Sequence, residues 1–197
     1  YAGGKTMRQS GSVQNMKFER QKVTADPFHT EIVTCCRDER GYEADHHLIW
    51  NQGEESLESF VVFRNQSDAA CGLELLESFS IGGITPFAPG DAPEHLILHR
   101  LRSDWRMEGR LESIPFETLN LEPSWSGHGV RCERFGQTGS MAVNHFFPWM
   151  MAEDRTNGVV WVAMIAHNAS WQMEVYRKDD SATLSGGLAD FDFGLWK

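Results

Sequence analysis

Apolar and polar positions in this chain alternate with a period of two, and turn-forming residues interrupt the alternation about every ten residues, the rhythm of all-β sandwiches and barrels. Residues 30–37 are β-branched and apolar, Asp38-Glu39-Arg40-Gly41 supplies turn chemistry, and residues 42–51 carry Ile49 and Trp50 back, so the stretch predicts a hairpin. A second hairpin is predicted from residues 57–64 and 71–81, joined through Asn65-Gln66-Ser67-Asp68. Further strands are expected at 95–102, 130–137, 146–154, 159–167 and 171–177. In the last of these, Trp171, Met173 and Val175 alternate with Gln172, Glu174 and Tyr176, which predicts a sheet with one wet face. Gly82-Gly83 and residues 86–93 hold three of the seven prolines and read as a surface loop, because proline cannot donate to a central ladder.

Helical stripes of 10 to 15 residues, which an α/β fold needs between its strands, are missing from the pattern. The expected fold is therefore all-β, two large antiparallel sheets packed face to face. A length of 197 residues allows one large domain or two small ones. With no composition break, low-complexity stretch or fixed repeat, residues 1–197 read as a single domain.

Composition narrows the function classes. A hydrophobic share of 41% excludes a disordered chain. The longest apolar block, residues 159–166, is strand-sized and far short of the roughly 18 to 20 residues of a membrane-spanning helix. Twenty-eight acidic against 18 basic side chains give a net charge of −10, which repels a phosphate backbone and argues against a nucleic-acid partner. Cys35, Cys36, Cys71 and Cys132 form no C-x-x-C pair; they read as buried small hydrophobes in a reducing compartment, so the cytoplasm is the expected location. The opening Tyr-Ala-Gly-Gly-Lys has neither an initiating Met nor the apolar core of a signal peptide, and the chain reads as a domain of a longer protein.

Candidate chemistry is sparse. Gly3-Gly4-Lys5-Thr6 resembles the end of a phosphate-binding loop, but no apolar strand feeds it and it reads as a turn cluster. His46 and His47 are neighbours on a strand and project to opposite faces, so they cannot share a metal ion without a bulge; no metal and no cofactor are expected. Asp179-Asp180 and the pair Asp190 with Asp192 invite a glycosidase reading, but Arg-Lys-Asp-Asp-Ser is a polar turn composition and no catalytic residue is assigned. The chain has no G-x-S-x-G elbow and no protease-like cysteine signature. In Pro123-Ser124-Trp125-Ser126-Gly127-His128-Gly129 a flat ring sits among small residues. It reads either as a sugar platform, with Ser126 and His128 bonding hydroxyls, or as a plug at the sandwich edge.

Several strings together carry a resemblance: Glu108-Gly109-Arg110-Leu111-Glu112, the segment 123–129, Arg131-Cys132-Glu133-Arg134-Phe135-Gly136-Gln137, Ala169-Ser170-Trp171-Gln172-Met173-Glu174-Val175-Tyr176 and Ser185-Gly186-Gly187-Leu188. Over residues 95–197, and more loosely over 16–94, the chain resembles the amino-terminal domain of glycoside hydrolase family 36, the α-galactosidases. The resemblance implies a galactose-mutarotase-like β-supersandwich, incomplete at both ends. A (β/α)8 barrel would follow it and carry both catalytic aspartates, and the parent enzyme would hydrolyse terminal α-galactosyl groups of oligosaccharides of the melibiose and raffinose type with retention. It also implies homo-oligomers in which the β domain shapes a substrate site; Trp125, Ser126 and His128 are the candidate contacts. The alternative is a stand-alone carbohydrate-binding or assembly module.

Overall fold

Short Asp- and Gly-containing turns set where the strands reverse. At residues 38–41 the Asp38 carboxylate accepts from the backbone N–H of Arg40 and Tyr42, while Gly41 takes φ +93°, a left-handed value that suits a residue without Cβ. The same device recurs at 154–158, where Asp154 accepts from the Thr156 N–H and the Asn157 amide and Gly158 takes φ +66°. A computed structural model describes residues 10–85, 94–106, 108–121, 130–178 and 181–189.

Among these residues the strands are β1 (Lys17–Ala25), β2 (His29–Arg37), β3 (Tyr42–Asn51), β4 (Leu57–Asn65), β5 (Leu75–Gly82), β6 (Leu96–Arg102), β7 (Arg110–Pro115), β8 (Val130–Gln137), β9 (Phe146–Asp154), β10 (Val159–Met164), β11 (Trp171–Lys178) and β12 (Ser181–Ala189). One short helix, α1 (Gly11–Asn15), and a 3₁₀ turn at Phe116–Leu119 complete the described elements. Every strand pairing is antiparallel, so the all-β expectation holds.

The strands form three four-stranded sheets, ordered β1-β2-β3-β4, β10-β9-β6-β7 and β5-β12-β11-β8. The second and third pack face to face: Leu96, Leu98, Met150 and Ala152 from one meet Phe135, Trp171, Met173, Val175 and Leu184 from the other in a single buried cluster. That pair is the sandwich expected from the alternation. The β1–β4 sheet adds no residue to the cluster and meets the body where β4 runs beside β5.

Four expectations need correction. The second hairpin does not form: β4 pairs with β3 and β5 with β12, so the turn at 65–68 carries the chain from one sheet to another instead of reversing it within one. The wet face of β11 is not wet, because Glu174 and Tyr176 are as buried as Trp171 and Met173, and the Arg134 guanidinium lies 3.0 Å from the Glu174 carboxylate. Among the cysteines only Cys35 is fully buried; Cys71 is exposed. β1, β7 and β12 escaped the pattern: β1 is exposed along its whole length, and β12 holds Ser185-Gly186-Gly187 where large apolar residues were sought.

Those glycines are a packing requirement. A Cβ on Gly187 would stand 2.0 Å from the Leu76 carbonyl oxygen, and one on Gly136 would stand 2.3 Å from that of Trp171. Gly136→Ala and Gly187→Ala are each expected to cost about 1–3 kcal/mol in urea unfolding, the usual range for overpacking. Gly11→Ala, which meets nothing within 4 Å, should leave the midpoint unchanged.

Candidate functional site

On β6 the residues Leu96, Leu98 and Arg100 share one face of the strand, so the parity that buries two leucines also drives a guanidinium inward. Arg100 is 6% exposed, and a buried guanidinium requires paired charge and hydrogen bonds. Its Nε donates to Glu112, directly opposite on β7, and its Nη1 donates to Glu133 on β8 at 2.7 Å. The guanidinium also lies over two rings, 5.3 Å from the centroid of Phe135 and 4.8 Å from that of Phe146.

Arg102, two residues on, shares Glu112 with Arg100 and lies 4.9 Å from the Phe146 centroid. Together these side chains wall an open cleft of about 540 Å³ between the ends of the two packed sheets, within the size range of small-molecule sites. Gln137, His145, Gln172 and Thr138 line its polar side. Beneath it Phe135 meets Phe146 at 5.4 Å and the edge of Trp171 at 6.0 Å, and the Trp171 indole donates to the Ala142 carbonyl. Gly136 lets β8 approach β11 at the cleft wall, where a side chain would strike the Trp171 backbone.

The charges are matched, Arg100, Arg102 and Arg134 against Glu112, Glu133 and Glu174. Burial alone would raise the Glu112 carboxyl, but the Arg100 and Arg102 guanidiniums outweigh it and hold the group below its ordinary value. An ionised carboxylate held by two arginines is a poor general acid, because retaining hydrolysis needs one carboxyl with a raised pKa. Burial and the neighbouring Glu174 carboxylate push the Cys132 thiol up to about 12, and burial with hydrogen bonds to Asp45 and Glu19 does the same for Cys35, so neither is a thiolate nucleophile at neutral pH. The cleft thus offers fixed donors and acceptors.

Trp125, Ser126 and His128 lie outside the described residues, as do Asp179, Asp180, Asp190, Asp192 and the segment Gly3–Thr6. His46 and His47 do project to opposite faces: His46 Nε2 bonds Ser59, whereas His47 bonds Glu31 and stacks on Phe60 at 4.5 Å. His99 is held between Ser113 and Glu153. Among the described residues no three His, Cys, Asp or Glu side chains converge on a metal position, and no helix is long and apolar enough to cross a membrane. Sequence reasoning missed Arg100, Arg102, Glu112 and Glu133. The available signal was an arginine at the core parity of an otherwise apolar strand, Leu-Ile-Leu-His-Arg.

Arg100→Met takes from Glu133 the guanidinium it accepts from and leaves Glu112 with Arg102 alone, and is expected to cost about 3 kcal/mol, read by chemical denaturation. Glu112 has a depressed folded-state pKa, so its stabilisation is complete above the unfolded value of about 4.3 and is lost as pH falls through the folded value. Stability of the wild type should therefore fall more steeply on acidification below about pH 4 than that of Glu112→Gln.

No protein-family model matches the chain and no curated protein matches it.

Proposed function

We propose that this chain is the non-catalytic β domain of a retaining α-galactosidase, in which a catalytic barrel on further sequence of the same protein hydrolyses terminal α-galactosyl groups of oligosaccharides. What carries the reading is a convergence of residues far apart in the chain. Four of the five strings that resemble family 36 fall on β7, β8, β11 and β12, the fifth lying outside the described residues, and two of them, through residues 133–137 and through Trp171 and Gln172, line the same cleft. Glu112 from a third string braces Arg100.

In this reading the domain shapes the substrate site and takes part in oligomer formation, and the loop holding Trp125, Ser126 and His128 reaches the sugar. The protein works in a reducing compartment, the cytoplasm, in keeping with four free thiols. The second reading, a stand-alone carbohydrate-binding module, draws on the same cleft, whose matched charges favour an uncharged hydroxyl-rich ligand over an anion.

The 197-residue chain is expected to show no turnover of a chromogenic α-galactoside, and the protein extended through the downstream reading frame is expected to show it. Turnover by the chain above a boiled control would sink the non-catalytic assignment; no turnover by the extended protein would remove the galactosidase parent and leave the binding module. In the extended enzyme, Trp125→Ala should raise KM for an oligosaccharide with little change in thermal midpoint. A midpoint loss matching about 3–5 kcal/mol with unchanged kcat/KM would instead identify the ring as a packing plug.

A further inference from the structure

The β1–β4 sheet divides its side chains by charge with no exception. Register and alternation place Lys17, Arg20, Lys22, Glu31, Arg37, Glu43, Asp45, Glu58 and Arg64 on one face, and Glu19, at the bulge in β1, joins them through Arg20 and Arg37. These charges pair among themselves: Arg37 with Glu43, Arg64 with Asp45, and Arg37 again with Glu19. The other face carries no Asp, Glu, Lys or Arg. Its apolar members run across all four strands, from Phe18 and Val23 through Ile32 and Leu48 to Trp50, Leu57, Val61 and Phe63.

This uncharged face is open. Phe18, Val23 and Leu57 are 67%, 60% and 60% exposed, and none of its residues is fully buried. Among the described residues this face meets the body where β4 runs beside β5 and Ser59 donates to the Ser78 carbonyl. His46 lies on this face, and burial followed by the neighbouring His47 pushes its pKa down, against the charged form. Exposed apolar side chains gathered on one face in this way are the mark of an interaction surface rather than of singly scattered surface residues.

We infer that the uncharged face of the β1–β4 sheet pairs with the same face of a second copy of this chain about a two-fold axis. An isologous contact sets a patch against itself, so a charged patch brings like charges together near the axis; a face without charges avoids that penalty, and the opposite face does not. Four strands about 4.8 Å apart and about nine residues long at about 3.4 Å per residue cover about 600 Å² per copy, or about 1,200 Å² for the pair, the lower bound for a stable specific interface. The pair would form a second sandwich beside the first. This pairing deepens the oligomeric part of the proposed function by naming its surface, and its readout is mass rather than turnover, so the two can fail separately.

Sedimentation equilibrium of the 197-residue chain should give twice its 22.3 kDa mass. Val23→Glu combined with Leu57→Glu alters two side chains that are mostly exposed in a single copy, and should reduce the mass to that of one chain. Lys22→Glu on the opposite face should leave the pair intact. A single-chain mass for the wild type, an open-ended series of larger masses, or a dimer that survives Val23→Glu with Leu57→Glu would overturn the proposal. Hydroxyl-radical footprinting of the wild type gives a reading that needs no variant. Phe18, Trp50 and Leu57 should lose reactivity several-fold between dilute and concentrated protein while Val162 on β10 does not change; unchanged reactivity of all four would also overturn it.

Discussion

The burial of one guanidinium constrains the body of this protein. Arg100 enters the sandwich at a position that its strand reserves for core residues, and an unpaired charge there would cost several kcal/mol. The surrounding sequence answers it from three strands: Glu112 on β7, Glu133 on β8 and the ring of Phe146 on β9. Two of these belong to the sheet that contains Arg100 and one to the sheet packed against it, so a single side chain ties the two layers together. The cleft exists because polar groups gathered around the arginine keep the end of the sandwich from closing into an apolar core.

The same logic of charge placement governs the other half of the chain in reverse. In the sandwich, charge is drawn inward and matched; in the β1–β4 sheet, charge is swept to one side and matched there, leaving the other side apolar. Cys35 and Asp45 are buried on the charged face, whereas no residue of the apolar face is. The two sheet systems solve burial differently, one by facing another layer of the same chain and the other through a surface still open in the single copy.

Much of this was legible in the sequence where a residue's neighbours along the chain decide its fate. The hairpin of β2 and β3 was readable from Asp38 and Gly41, and β8, β9 and β11 from alternation alone. What escaped depended on partners distant in sequence. β12 was hidden because its glycines answer to Leu76 and Phe79 on β5, more than a hundred residues earlier. The polar residues of β11 looked solvent-facing because the partner of Glu174, Arg134, lies forty residues away. Arg100 could not be recognised as a site residue until Glu133 and Phe146 were in place. The candidates that the sequence did single out, Trp125, Ser126 and His128, lie outside the described residues.

β11 lies between β12 and β8, hydrogen-bonded along both edges, with Met173, Glu174, Val175, Tyr176 and Arg177 buried on its two faces. Its amides can meet solvent only when the whole sandwich opens, so their exchange with deuterium reports the global unfolding free energy of the body. β1, exposed along its length and paired on one edge only, lies at the opposite limit. A gradient of opening therefore runs across the molecule from β1 to β11, and partial unfolding would begin in the outlying sheet and leave the cleft and its arginine for last.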